Sequence, residues 1–345
     1  MSPSQPSPHP QHIAIAGAGV IGLTCAYLLS EAGHRVTIVA RNFPGDKSTE
    51  WASPWAGALL APHPDSGFSE LQLSSLKFYQ HLLETYPESG VKSLRITEYY
   101  DDRPNDKSIW YKPHMQNFTL IPPASLPRGA TLGFSYDGLI VNPTDFLPWL
   151  TSGLKNQNVQ FINHTLPSLA ALRTLTRADL LINATGLGAK MLAHDNSVYA
   201  VRGQTIFVKC DKQIGPRESE SLFNQATLHQ GSHYTYAIPR PSSAGFILGG
   251  VSQPAQFSSQ PDVALRPQIM DRVNTLTKGA FDWVDLETQG EDIVGFRPAR
   301  KGGLRVQRER DVVHAYGVGG LGYLFAFGIA EEVRRLVDGV GGPRL

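Results

Sequence analysis

Residues 17–22 read GAGVIG, preceded by the apolar run HIAIA (12–16) and followed by LTCAYLLSEAGH (23–34) and a second apolar run, RVTIVA (35–40). Three glycines in the spacing G-x-G-x-x-G, between a strand and a helix, leave few folds open. The first glycine allows a tight turn. The second lets a phosphate approach the backbone, and the third lets the helix lie close on the strand. The helix N-terminus then faces an anion with its free N–H groups. Leu23, Ala26, Tyr27 and Leu29 fall on one side of the expected helix, and Gly33 stops it. The first 40 residues therefore begin a parallel α/β sheet.

The pattern returns twice. Residues 140–162 give an apolar run, a helical TDFLPWLTSGLKNQ and the strand VQFIN, and ADLLINATGLGAK (178–190) runs a buried strand into a glycine turn. The chain closes on VVHAYGVGGLGYLFAFG, again strand, glycine turn and helix. Between these segments the sequence turns β-like, as in YAVRGQTIFVKC, HYTYAIPRP and GFILGGV. The expected architecture is α/β: a discontinuous Rossmann-like domain (12–64, 139–198 and 297–340) interleaved with a mostly antiparallel β domain (65–138 and 199–296) that holds the substrate. A length of 345 residues suits about two domains of roughly 150 residues each.

The acidic residue that usually closes the second strand of a dinucleotide fold is missing, and Ala40-Arg41-Asn42 stand there. Arg41 could receive the 2′-phosphate of NADP, or the site could take FAD through a different ribose contact. Three glycine turns at strand ends favour a long cofactor extended across the sheet edge, which suits FAD better.

Composition narrows the function classes. Lysine and arginine number 31 against 30 acidic residues, for a net charge of +1, with no basic run. Nucleic acid and membrane surfaces are therefore not expected partners. No apolar segment reaches the roughly 18 residues of a membrane span. Two cysteines, Cys25 and Cys210, exclude a disulfide scaffold and favour a reducing compartment. Eleven histidines show no helical H-x-x-x-H spacing, so no metal is expected. Residues 1–11 are Pro/Ser-rich without an apolar core and read as a disordered tail. Pro343-Arg344-Leu345 has the basic-then-leucine ending of the S-K-L peroxisomal address; the cytoplasm is the alternative location.

EDIVGFRPARKGG (291–303) places Arg297 and Arg300 where an apolar strand is expected to end. A surface loop is one account of them. Recognition of a carboxylate by the guanidinium fork is the other.

GAGVIG, SPWAGALLAP (53–62), INATGLGA (182–189), RGQT (202–205), YAIPRP (236–241), GFRPAR (295–300) and HAYGVGGLGY (314–323) stand in that order. With these seven strings the chain resembles the D-amino-acid oxidases, most closely the fungal ones, from about residue 12 to the end. The resemblance implies noncovalent FAD in an extended pose. Its pyrophosphate would lie on Gly17, Ala18, Gly19, Val20, Ile21 and Gly22, and its adenosine near Arg41 and Asn42, with Ser48 nearby. The resemblance places Ala56, Gly57, Ala58, Val159, Ala184, Thr185, Gly186, Gly188 and the turn Gly319, Gly320, Leu321, Gly322, Tyr323 and Leu324 around the rest of the cofactor, and Arg297 beside it.

The resemblance also sorts the arginines. Arg297 matches the residue that holds the substrate α-carboxylate, Tyr236 the tyrosine that shares it, and Gly320 the position whose carbonyl accepts from the α-amine. Arg300 matches no such role and is expected in a structural ion pair or in solvent. The family's second tyrosine falls on Ser232 here, with Tyr234 the nearby candidate, and Leu324 replaces a polar residue beside the flavin. The implied reaction passes hydride from a D-amino acid's Cα to flavin N5, giving an imino acid that hydrolyses to a 2-oxo acid and ammonia. Oxygen reoxidises the flavin to hydrogen peroxide, which fits a peroxisome and its import receptor. A homodimer is the common assembly of the family. A D-aspartate oxidase, with Arg217, His229 or His233 as an added cation, is the nearest alternative. A glycine or sarcosine oxidase, a flavoprotein without turnover and an NADP-dependent dehydrogenase are further ones. Cys25, Phe43, Trp51, Trp55 and His314 are expected to be packing residues.

Overall fold

The computed structural model describes residues 9–65, 67–210, 219–231 and 234–339. The first half of the chain runs β1 (His12–Ala16), α1 (Val20–Glu31), β2 (Arg35–Ala40), α2 (Ser69–Thr85), β3 (Val91–Tyr100), β4 (Gln116–Leu120) and β5 (Leu132–Val141). It continues with α3 (Pro143–Asn156), β6 (Gln160–Asn163), α4 (Leu169–Thr176), β7 (Leu180–Asn183), α5 (Ala189–Leu192) and β8 (Val198–Lys209). Next come α6 (Ser219–Leu222), β9 (Gln225–His229), β10 (Thr235–Arg240), β11 (Gly245–Gly249), β12 (Gln253–Pro254) and α7 (Leu265–Thr277). The chain ends with α8 (Leu286–Gln289), β13 (Gly290–Arg300), β14 (Arg305–Glu309), β15 (Val312–Tyr316) and α9 (Gly322–Asp338).

These strands form two sheets. The first has the order β14-β15-β7-β1-β2-β6, parallel except for β14. The second, mostly antiparallel, has the order β12-β8-β11-β10-β9-β3-β5-β4, with β13 also paired to β8. The α/β plan with an interleaved β unit is therefore observed. Three of its details differ from expectation. β13 pairs with β8 along its whole length, Gly290 opposite Val208 and Arg300 opposite Val198, so Arg297 and Arg300 lie inside a strand of the second sheet. β5 likewise carries residues 139–141 in that sheet. Residues 69–85, assigned above to the β unit, form a helix packed on α9. Gln72, Ser75, Phe78, Tyr79 and Leu82 are its buried stripe, a spacing of three and four.

α1 is buried nearly all round rather than on one side, because α9 and α3 cover what the sheet does not. α1 meets α9 closely enough for the Thr24 hydroxyl to donate to the Ala326 carbonyl at 3.2 Å. The main core fills the space between the first sheet and α1, α2, α3 and α9, with Phe78 stacked on Phe327 at 3.9 Å between ring centroids. Smaller cores lie under the second sheet, one holding Tyr100, Tyr111, Tyr136 and Tyr236, the other covered by α7. Among the described residues no helix is long and apolar enough to cross a membrane.

Candidate functional site

A cavity of about 690 Å³ runs from the carboxyl ends of β1, β2 and β7 to the face of the second sheet. That places it where open α/β sheets bind ligands. At β1 the chain turns through Gly17 with φ +104°, a conformation that favours glycine. A Cβ there would also meet the Ala184 carbonyl oxygen at 2.5 Å. A Cβ on Gly22 would overlap the Gly17 carbonyl, so Gly22 seats α1 on the turn and does not itself line the cavity. Gly17, Ala18, Gly19, Val20 and Ile21 do line it. The positive end of α1 faces the same space.

Ser53 ties this turn to the other end of the chain. Its hydroxyl accepts from the Val20 N–H at 2.9 Å, and its carbonyl accepts from the Tyr323 hydroxyl at 2.9 Å. Sequence reasoning gave Ser53 no role, because its two contacts join residues far apart in the chain.

At the end of β2, Arg41 and Asn42 line the cavity. Arg41 donates to the Asn42 side chain at 3.0 Å and pairs with Glu50 at 3.2 Å across an exposed rim. Ser48 lies outside the lining; its hydroxyl accepts from the Glu50 N–H and its carbonyl from the Trp55 indole. Besides Gly22 and Ser48, two more expectations need correction. Trp51 and Trp55 line the cavity instead of only packing, because the loop after β2 folds back over it. Val159 precedes β6 at the edge away from the cavity and is 6 % exposed in the main core. His164, Thr165 and Leu166, beyond the carboxyl end of β6, take its place in the lining.

Ala56, Gly57, Ala58, Ala184, Thr185, Gly186 and Gly188 all line the cavity. So do Gly319, Gly320, Leu321, Gly322, Tyr323 and Leu324, where α9 begins. The Gly319 N–H donates to the Pro298 carbonyl at 2.9 Å, which holds this turn against β13.

Arg297 is half-buried on β13 and reaches into the cavity. Its guanidinium lies across Gly203 of β8, where a Cβ would stand 2.6 Å from both terminal nitrogens. It donates to the Val251 carbonyl at 3.1 Å and the Arg202 carbonyl at 3.4 Å. Gly320 sits beside its stem, with a Cβ position 3.3 Å from Arg297 Cδ. The Tyr236 hydroxyl hydrogen-bonds Arg297, and burial pushes the phenol pKa up, so it stays protonated. The Tyr236 ring lies over Gly249 and Gly250 of the neighbouring strand and turn, space that side chains would fill. Tyr234 also lines the cavity, edge-on to Tyr236 at 5.2 Å between centroids, although it precedes β10. Among the described residues no carboxylate pairs with Arg297.

Arg300 is structural. It donates to Asp195 at 2.8 Å, and this contact, with the Tyr316 hydroxyl at 2.9 Å, holds the Asp195 carboxyl down at about 2. His314 is buried between Asn183 and Glu309, and Cys25 and Cys210 are buried as well. Phe43 packs edge-on against Phe161. Among the described residues no His, Cys, Asp and Glu group could hold a metal ion. His229 does not line the cavity; Arg217, Ser232, His233 and the Pro343-Arg344-Leu345 ending lie outside the described residues, as does most of the N-terminal tail. Sequence reasoning missed Gln230 and His63, both in the cavity wall. They come from loops with no periodic pattern to expose them.

The sequence profile of the FAD-dependent oxidoreductase family matches residues 12–336. The chain is 31% identical to a D-amino-acid oxidase of Fusarium vanettenii, over 95% of this chain and 97% of that protein. It is 29% identical to a D-aspartate oxidase of Talaromyces thermophilus, over 95% of each. The fold superposes on a glycine oxidase of Geobacillus kaustophilus with a TM-score of 0.73 at 17% identity, covering 96% of both chains. The cavity fits FAD on its own terms. Its turns at Gly17 and Gly319 are bare backbone, two helix N-termini open on it, and the acid at its α1 end, Glu50, is paired to Arg41 on the rim. Profile, relatives, fold and cavity agree: the chain belongs to the FAD-dependent oxidoreductase family.

Proposed function

We propose that the chain is a D-amino-acid oxidase acting on neutral D-amino acids. One observation carries the reading. A half-buried guanidinium faces the cavity, hydrogen-bonded to a neutral tyrosine and, among the described residues, to no carboxylate. A cation withdrawn from water is stabilised by a partner charge, and the α-carboxylate of an amino acid completes the set.

Arg297 and Tyr236 would hold that carboxylate, and the Gly320 carbonyl would accept from the α-amine. Gly17–Ile21 would hold the FAD pyrophosphate, Arg41 and Asn42 its adenosine, and Ala56–Ala58 with Gly319–Leu324 its flavin. FAD, when bound, supplies the acceptor for the hydride that leaves Cα and delivers the electrons to oxygen, giving hydrogen peroxide. Tyr236 acts as a donor, since burial keeps its proton on. With the amine bound neutral, positioning by Arg297, Tyr236 and Gly320 is the chain's main contribution. With carboxylate and amine both pinned, one enantiomer presents its Cα–H to the acceptor. The released imino acid hydrolyses in water to a 2-oxo acid and ammonia.

Leu228, Ile238 and Leu324 surround this end with apolar surface, which favours neutral side chains over the acidic substrate named for the Talaromyces relative. Anaerobic addition of D-alanine to the yellow protein tests the proposal: D-alanine bleaches it and L-alanine does not. Bleaching by D-aspartate in preference would move the substrate to the acidic class. No bleaching by either D-amino acid would overturn the oxidase reading. The Pro343-Arg344-Leu345 ending supports delivery to the peroxisome, to be read by fluorescence microscopy with and without those residues. Light scattering reads the homodimer that the family resemblance implies.

A further inference from the structure

Glu98 is fully buried on β3. Four donors converge on it. The Tyr136 hydroxyl reaches Oε1 at 2.5 Å, and the Tyr100 hydroxyl, the Tyr111 hydroxyl and the Gln230 amide reach Oε2 at 2.8, 2.9 and 2.9 Å. A carboxylate accepts about four hydrogen bonds and donates none, so this set matches the ionised form. Burial raises the Glu98 pKa above the ordinary carboxylate value, and the four donors offset only part of that rise.

Gln230 joins this cage to the cavity. It follows His229, which pairs with Thr235 beside Tyr236; its N–H donates to the Tyr99 carbonyl at 2.9 Å, and it is one of the residues that line the cavity. An acceptor-only carboxylate fixes the amide with its nitrogen toward Glu98. The amide oxygen is thereby turned away from the acid and receives no donor among the described residues.

We propose that Gln230, oriented by the buried Glu98, selects D-amino acids whose side chains donate hydrogen bonds and rejects side-chain carboxylates. The inference rests on the oxidase reading and deepens it. A bare carbonyl oxygen welcomes a neutral donor such as a side-chain amide. It meets a carboxylate lone pair to lone pair, with the Glu98 charge directly behind it. His63, another titratable side chain of the cavity wall, has its pKa lowered by burial, with Arg103 adding to the effect and Asp65 opposing it, so it offers no cation at neutral pH. Arg41 and His164 line the far end, beside β2 and β6.

D-Asparagine and D-aspartate, nearly equal in shape, are the probes, with D-alanine as reference. Wild-type kcat/KM should favour D-asparagine by at least about 100-fold, since a site built around a polar contact rejects the analogue lacking it. Glu98→Gln releases the Gln230 amide to turn, and Gln230→Leu removes the acceptor. Each should lower the ratio by about tenfold or more, in KM rather than kcat. A merely structural role for Glu98 would depress all three substrates together and leave the ratio alone. If Glu98→Gln does not fold, the Gln230→Leu ratio decides. A wild-type preference for D-aspartate, or a ratio unmoved in Gln230→Leu, overturns the inference while turnover of D-alanine keeps the oxidase reading. Failure of the wild type to oxidise D-alanine overturns both.

Discussion

Arg297 joins two kinds of information, one carried by short strings and one by pairing. GFRPAR named it, and register explains it: β13 lies beside β8 so that the guanidinium crosses Gly203, where no side chain stands in its way. Arg297→Ala should lower kcat/KM for D-alanine about 150- to 5000-fold, because losing one partner of a withdrawn charge pair costs roughly 3–5 kcal/mol. Near-normal steady-state kinetics would remove Arg297 from the site. Gly203→Ala should raise KM for D-alanine with the fold intact, since its Cβ would displace the guanidinium that Arg297→Ala deletes. An unchanged KM would mean the arginine adapts. Asp195 makes a separate prediction about pH. Arg300 depresses its pKa to about 2, so its stabilisation is present above the unfolded carboxylate value of about 4 and fades as pH falls toward 2. Allowing for partial screening, Asp195→Asn should cost about 1–2 kcal/mol at pH 7, and the gap to wild type should close below pH 4. A gap independent of pH in denaturant titrations would assign the loss to packing. Gln230 and Ser53 escaped the sequence reading because their partners, Glu98, Val20 and Tyr323, are distant in the chain and nothing local marks them.

Elements were legible where a period or a glycine turn announced them. β1, α1 and β2 followed from GAGVIG and its apolar flanks, and the start of α9 followed from GVGGLG. α2 was not read, although SELQLSSLKFYQHLLET has a helical stripe, because its neighbours on either side read as β and its polar residues dilute the pattern. Trp51 and Trp55 were misplaced for the reason that a loop's path depends on what it packs against, which composition does not encode. The packing of α2 on α9 gives a test at this scale. The Gly328 N–H faces the Ser75 hydroxyl at 2.8 Å, and a Cβ on Gly328 would overlap the Leu71 carbonyl. Gly328→Ala should therefore destabilise the protein by about 1–3 kcal/mol, despite alanine's better helix propensity. Equal or higher stability in thermal or urea unfolding would show that the two helices can separate without loss.

At the scale of the whole molecule, the cavity is the place where the two sheets meet. One wall is Gly17–Ile21, Arg41 and Thr185 from the parallel sheet; the other is Tyr236, Arg297 and Gly203 from the antiparallel one. Sequence could order these segments along the chain, but their convergence depends on β13 pairing with β8 while the turn that opens α9 is held against β13 by the Gly319 N–H to Pro298. A cofactor extended through such a cavity contacts both sheets and binds only the folded chain. It should stabilise the fold by about 2.7 kcal/mol at a hundredfold excess over Kd and about 4.1 kcal/mol at a thousandfold excess. Removing FAD should lower Tm by several degrees, and adding it back should restore Tm in proportion to the logarithm of its concentration. Because both walls are involved, the Tyr236 side and the Gly17 side should melt together in the loaded protein. Hydrogen exchange read separately on β1 and β10 checks this. Protection that rises at β1 alone on adding FAD would confine the cofactor's grip to the parallel sheet and leave the antiparallel wall to the substrate.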